Sequence, residues 1–431
     1  MKGKLDRSAR IGIIGAGPAG LSAAVYLRDA GFGRVTVLEK EKRPGGKCKT
    51  VRRDGLNWEM GAVLGTDDYE ATVDLMGRVG MKPYRSAKVQ RKPNDAFIGA
   101  GLYPMERLFP GWLSPAEVPG ALSQLARYHL LARKWPAAFG PGHPGTPAEL
   151  AGDFASWSRR YGMETLAKLF AIPFTTFGYG YYDEVPAAYV LKYFNPGIAR
   201  ALVNHRKFFN WKDGVQELWE RTAASLNVRY GVDLVSAVRP AAGESEPVVL
   251  RAADGASFEF DRVVVACPYD DALRFLGADA TEAALAAPIR HTDYYVHVLR
   301  IDGFGIPAGF APGRFTREGI GKPMIWDERN KKSGTFTFYT LGDGKLGPED
   351  VEAAIAADVA LVGGTVRELI SMDRWKYFPH VSPEDYAAGY YDRLESIQGR
   401  RATFIAGELP SFSTVECSVR YSRDLVRRFF V

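Results

Sequence analysis

Cysteine is scarce in this sequence: Cys48, Cys267 and Cys417 are the only three in 431 residues. So few scattered thiols exclude a disulfide framework and a cysteine-based zinc site, and they fit a reducing cytoplasm, the location expected here. No run of roughly 18 uninterrupted apolar residues exists to cross a bilayer. The N-terminal MKGKLDRSAR is charged, but the apolar stretch behind it is broken by Gly15, Gly17, Pro18 and Gly20, which is turn punctuation rather than a secretory leader. Six histidines include no H-x-x-x-H pair, and there is no G-x-S-x-G elbow, so metal sites and Ser/His/Asp hydrolysis lack their residues. The excess of positive charge is only +6 and is spread along the chain. Without an arginine-rich tract it argues against nucleic acid and reads as solubility plus an anionic ligand. With 46% apolar and 25% charged residues, the composition is that of an ordinary globular protein with room for two or three subdomains.

The richest stretch is Ile11 to Glu39, IGIIGAGPAGLSAAVYLRDAGFGRVTVLE. Ile11 to Ile14 predict a buried parallel strand. Gly15, Gly17 and Gly20 follow with G-x-G-x-x-G spacing, and an alanine-rich helix runs to about Ala30. Val35 to Leu38 predict a second strand ending at Glu39. Gly15 permits the tight turn, Gly17 lets the backbone approach a pyrophosphate together with Pro18 and Ala19, and Gly20 lets helix and strand pack closely. The helix N-terminus offers unpaired N–H groups and a positive dipole end to phosphate. Glu39, 19 residues past Gly20, is placed to accept hydrogen bonds from a ribose. The pattern predicts a dinucleotide site, with a plain βαβ unit as the alternative.

Further along, residues 68–80 predict a helix, 82–102 read as hairpin strands with Arg91 among them, and 140–150 is a loop by composition. Ala171 to Phe194 is the most aromatic part of the chain. Phe174, Phe177, Tyr179, Tyr181 and Tyr182 surround two glycines, and they fit either a pocket wall or ordinary core. Val228 to Val238 predict a pair of short strands, and 248–252 with 258–260 a hairpin. Asp261 to Pro268 is a buried parallel strand that returns the chain to the first sheet. Further strands are expected at 295–301 and 335–341, and a helix at 348–361. Thr403 to Glu408 is a strand ending in Gly-Glu, and a helix from about Val415 to Phe430 closes the chain.

After Glu39 comes KEKRPGGK, and its R-x-G-G resembles the flavoprotein amine oxidase superfamily. The resemblance implies FAD, held non-covalently, with Lys40, Gly45, Gly46 and Lys47 continuing the clamp. It places Met60, Gly61 and Ala62 beside the isoalloxazine (the residues also fit a simple glycine-flanked turn) and assigns Val232 to the cofactor. It puts Gly407 and Glu408 near the ribityl or pyrophosphate region. The N-terminus of the last helix, with Val415 and Glu416, is aimed at the ring edge, where a dipole stabilises negative charge on reduction. The fold implied is α/β: a Rossmann-type FAD-binding domain, a mixed-sheet substrate domain and a helical subdomain. The expected boundaries are 1–80, 209–270 and 396–431 for the first, 81–103 and 271–395 for the second, and 104–208 for the third.

Several stretches, among them PFTTFGYGYYDEVPAAYVLKYF, WKDGVQELW, WKYFPHVSPEDYAAGYYDRLESIQGRRATFIAGE and YSRDLVRRFF, resemble the bacterial polyunsaturated fatty acid double-bond isomerases. That family implies a redox-neutral reaction in which flavin takes hydride from a methylene between two double bonds and returns it elsewhere. By this resemblance Phe177 lines the channel and stabilises a cation, Phe174, Tyr179 and Tyr181 contact substrate, and Arg91 meets the carboxylate, although a solvated arginine fits Arg91 equally well. The segments 104–150 and 196–207 depart from the family, which leaves other polyene acids open as substrates. The alternatives are an amine or amino-acid oxidase, in which Lys322 holds a water near the flavin, and a desaturase. The partner expected is a small-molecule unsaturated acid, with no nucleic acid and with the oligomeric state left open.

Overall fold

The computed structural model describes residues 5–85, 95–107, 113–203, 207–244 and 246–431, without the side chains of 202 and 203. Arg91 lies outside them. The four apolar residues of strand Ile11–Ile14 are all buried, as expected of a parallel strand covered on both faces. It is the centre of a five-stranded parallel sheet. Ile11 stands opposite Val35 of Val35–Glu39 on one side and Arg262 of Arg262–Val265 on the other. Val228–Tyr230 and Thr403–Ile405 form the edges. All five strands come from within 1–80, 209–270 and 396–431.

Helix Pro18–Asp29 covers this sheet, and the C-terminal helix Val415–Phe429 packs on it, with Ser422 Oγ donating to the Ala19 carbonyl at 2.9 Å. Close approach has a sequence cause. A Cβ on Gly20 would lie 1.9 Å from the Gly15 carbonyl oxygen, so only glycine lets the first helix turn sit against the strand end.

A six-stranded antiparallel sheet forms the second layer, in the order Thr365–His380, Arg290–Asp302, Thr335–Gly342, Ile325–Asp327, Ala308–Phe310, Tyr103–Pro104. The 16-residue strand Thr365–His380 is not apparent in the sequence, because charges interrupt its apolar residues. Its neighbour Arg290–Asp302 answers them: Arg374 pairs with Asp293 at 2.8 Å and Glu368 with Arg300 at 3.2 Å. Opposite charges on adjacent strands support the pairing.

One expectation needs correction. The described part of 82–102 is no hairpin: Asp95–Gly99 is a helical turn begun by an acid that suits the helix dipole, and the strand comes only at Tyr103–Pro104. The pair of short strands expected at 228–238 is present and divides between two sheets: Val228–Tyr230 joins the parallel sheet, and Leu234–Val238 joins Val248–Ala252 and Ser257–Phe260.

Helices Val118–Leu131, Phe154–Tyr161, Glu164–Thr176, Ala187–Tyr193 and Pro196–Val203 form a cap over the space between the two sheets. Asp153 starts one of them by accepting a hydrogen bond from the Ser156 amide at 2.7 Å. No helix of the described residues is long and apolar enough to cross a membrane.

Candidate flavin and substrate site

One cavity of about 2410 Å³ runs from the parallel sheet to the cap, well beyond the few hundred to about 1,000 Å³ of an ordinary small-molecule pocket. Its first part lies at the carboxyl ends of the parallel strands, where open α/β sheets place their ligands. Gly15, Glu39, Ala266, Cys267, Ala406 and Gly407, the residues at or just past four strand ends, all line it.

The backbone builds this cradle. Gly15 and Gly407 take φ of 103° and 100°, which L side chains rarely adopt. Gly17 caps helix Pro18–Asp29 with no side-chain hydrogen bond, so the helix leaves N–H groups for an incoming anion. Glu39 accepts from the Ala16 amide at 2.6 Å and the Glu41 amide at 2.8 Å. A carboxylate has about four acceptor positions, so Glu39 keeps capacity for ribose hydroxyls. Lys47 pairs with Glu408 at 2.7 Å, Ser413 donates to the same carboxylate oxygen at 3.1 Å, and the Lys47 ammonium sits 5.3 Å from the Tyr377 ring centre. Thr414, Val415 and Ser418 bring the last helix's N-terminus to the cavity. A dipole end for pyrophosphate, an acid for ribose and a second dipole end for the ring fit FAD.

Of the residues expected from the sequence, Gly15, Gly17, Pro18, Ala19, Glu39, Gly46, Lys47, Gly61, Ala62, Phe177, Tyr179, Gly407, Glu408 and Val415 line the cavity. The others do not. Gly20 serves the helix–strand contact already described. Gly45 makes a turn of φ 106°, where a Cβ would lie 2.6 Å from the Cys48 carbonyl oxygen. Lys40 is exposed beside Asp233 at 3.6 Å. Val232 packs at the edge of the core and donates its amide to the Glu39 carbonyl at 2.9 Å.

Met60 is buried on the opposite side from its neighbours: Asn57, Glu59 and Gly61 line the cavity, and strand alternation turns Met60 away. Glu416 accepts from the Ala71 and Thr72 amides at 3.1 and 2.9 Å. It anchors the start of helix Glu70–Arg78, and burial raises its carboxyl above the ordinary range. Phe174 is fully buried behind Tyr179 and Tyr193. The helix face on the cavity carries Leu166, Leu169, Phe170, Pro173, Thr176 and Phe177 at three- and four-residue steps, and Phe174 falls off it. Tyr181 points to the surface, bonded to the Thr316 carbonyl at 3.1 Å under Arg317. Lys322 is exposed and does not reach the cavity.

The second part of the cavity is an apolar chamber between the cap and the antiparallel sheet. Leu125, Leu166, Leu169, Ile172, Phe170, Phe177, Tyr193 and Phe194 line it from the cap, and Tyr294, Phe310, Ile325 and Tyr339 from the sheet. Tyr179 and Tyr377 stand between chamber and cradle. Tyr377 donates to the Tyr179 hydroxyl at 3.3 Å and Tyr179 to the Ser413 carbonyl at 2.9 Å. Burial raises both phenols well above their ordinary values, so they stay neutral.

Sequence reasoning missed two polar groups in the wall. Glu59, Asn57 and Arg329 form a network, with Arg329 3.1 Å from Glu59 and 2.7 Å from Asn57 Oδ1. Burial raises the Glu59 carboxyl, against the opposing pull of Arg329. Asp270, His291 and Lys376 form the other: against a burial cost, hydrogen bonds from His291 and Lys376 hold Asp270 well below the usual carboxylate range. No motif spacing links these residues, which packing between separate elements brings together. The cavity thiol Cys267 is pushed up to about 12 by burial, which leaves it unreactive.

The family model for flavin-containing amine oxidoreductases matches residues 18–298. The chain belongs to that family and is an enzyme that uses FAD. Over 99% of its length, and 100% of the other chain, it superposes on the CLA-producing fatty acid isomerase from P. acnes with a TM-score of 0.90 and 32% identity. It is also 24% identical over 441 aligned positions, 92% of this chain and 87% of the relative, to the FAD-dependent oxidoreductase dpasF of Apiospora sacchari. A shorter match, 42% over 71 residues, joins 16% of the chain to a zeta-carotene-forming phytoene desaturase of Myxococcus xanthus. The chain spans only 14% of that desaturase's length.

Proposed function

We propose that this enzyme moves a carbon–carbon double bond within a long unsaturated acid without net oxidation. The full-length likeness to the P. acnes fatty acid isomerase is the observation that carries this reading. The chamber supports it, since a hydrocarbon chain is held by apolar burial. Bound FAD supplies a hydride acceptor for a methylene between two double bonds, and the donor that returns hydride to another carbon of the same molecule.

The chain's own part is placement and environment. Gly61 and Ala62, small residues on the cavity, let substrate and ring come close. The leucines and phenylalanines of the cap exclude water that would capture a cation developing on the substrate. Phe177 offers a π system to that positive charge, and Tyr179 contacts the substrate beside it. Arg91 meets the carboxylate: Arg91→Ala should raise KM for a free acid and leave that for its methyl ester unchanged.

The test is anaerobic incubation of the purified yellow enzyme with a panel of unsaturated acids, read by ultraviolet absorption of conjugated dienes. Turnover without oxygen, added reductant or peroxide is the expected result. Stoichiometric peroxide, or turnover only of a nitrogenous compound, would overturn it. Those outcomes would favour the second reading, an oxidase or desaturase passing electrons to oxygen or another acceptor, which the likeness to dpasF supports.

A further inference from the structure

The reading above leaves open which acid fills the chamber, and one side chain bears on it. Strand Ile325–Asp327 lies between Ala308–Phe310 and Thr335–Gly342. Side chains alternate across a sheet, and the register sets Asp327 beside Ala308 and Thr337, with Ile325 beside Phe310 and Tyr339. All six line the cavity, and Asp327 alone among them is charged.

Its carboxylate accepts no hydrogen bond from any described residue. Arg329, two residues on, is taken by Glu59 and Asn57. The Asp327 side chain is open to the cavity yet enclosed by protein. That enclosure, relieved in part by Arg329, pushes its carboxyl up to about 6.

An exposed carboxylate without a protein hydrogen bond keeps its water until a ligand fills the chamber; losing that water is unfavourable and calls for a partner that arrives with the ligand. A plain hydrocarbon tail brings none, and the substrate's own carboxylate is repelled. An ammonium would match the charge, but stripping its water in an apolar chamber costs far more than stripping a hydroxyl's.

We propose that the substrate is an unsaturated acid carrying a hydroxyl on its chain, that this hydroxyl donates a hydrogen bond to the Asp327 carboxylate, and that Asp327 thereby selects among acids. This rests on the isomerase reading for the identity of the chain, though not for the contact itself.

The test titrates flavin-loaded enzyme with linoleic acid, with its monohydroxylated derivatives differing in hydroxyl position, and with stearic and matching hydroxystearic acids as unreactive ligands. Affinity is read by flavin absorbance and calorimetry. At least one hydroxyl position should tighten binding about tenfold or more. Asp327→Leu should abolish that preference, and Asp327→Asn, whose amide oxygen still accepts, should keep part of it. Equal flavin content in the three proteins verifies folding. Affinities within about twofold for every pair, or a preference that survives Asp327→Leu, would overturn the proposal. So would tighter binding of the amino analogue than of the hydroxy acid. A preference lost in Asp327→Leu with no acid converted upholds the contact while removing the isomerase reading.

Discussion

The two ends of the cavity are built on opposite principles. The cradle is a surface of backbone: glycines at strand ends, amides at helix starts, and one acid that accepts from them. The chamber is a surface of side chains from the cap and one face of an antiparallel sheet. A cradle of that kind holds one invariant ligand and tolerates almost no added atom. A chamber of side chains can be re-cut residue by residue, so the same flavin can serve different substrates.

The largest contrast should come from a single methyl group. Gly20→Ala puts a Cβ 1.9 Å from the Gly15 carbonyl oxygen, so helix and strand must separate. We expect a loss of about 3 kcal/mol of stability and a colourless protein, measured by thermal melting and the flavin absorption band. A chamber substitution such as Phe177→Leu should instead leave the yellow colour intact. If both variants kept flavin equally, the distinction between the two ends would fail.

Next in size is Glu39→Ala, which removes the acceptor at the cradle's second strand end. Loss of charge-assisted hydrogen bonds should weaken FAD binding about tenfold to hundredfold, measured by titrating apoenzyme with FAD. Turnover at saturating FAD should change little. Phe177→Leu should show the reverse pattern, with turnover down about five- to thirtyfold at unchanged FAD content. Unchanged turnover would make Phe177 packing alone.

The smallest effect is a pH dependence confined to the chamber. Asp327 titrates at about 6 in the folded chain, above the ordinary carboxylate value of about 3.9. The folded state therefore binds the extra proton between those values. The resulting stabilisation is complete below about 4 and is lost as pH rises through about 6. Relative to Asp327→Asn, the wild type should lose stability over that window and stay level above it, as seen in parallel urea titrations. A rise with pH would show that the carboxyl is stabilised in its charged form.

The cradle was legible in the sequence because its chemistry is local. Gly15, Gly17 and Glu39 lie within one βαβ unit, and a turn needing positive φ admits few residues besides glycine. The chamber was legible only as an aromatic segment. Within it Phe177 and Tyr179 reach the cavity, while Phe174 and Tyr181 do not. A rotation of about 100° per residue separates Phe174 from its helix's cavity face, and composition does not record that angle. Met60, just past strand Leu56–Glu59, faces away from the cavity for the matching reason, since in extended chain the side changes at every residue.

From its own residues, then, the chain determines a dinucleotide cradle, since strand, glycine turn and ribose acid are neighbours in sequence. Folding alone decided what stands around the substrate. Asp327, and His291 with Lys376, owe their places to strand register across a sheet whose members are distant in the chain, and packing between separate elements brings Asp270 of a helix to His291 and Arg329 to Glu59. Register is set by packing over the whole domain, so no short window of sequence contains it.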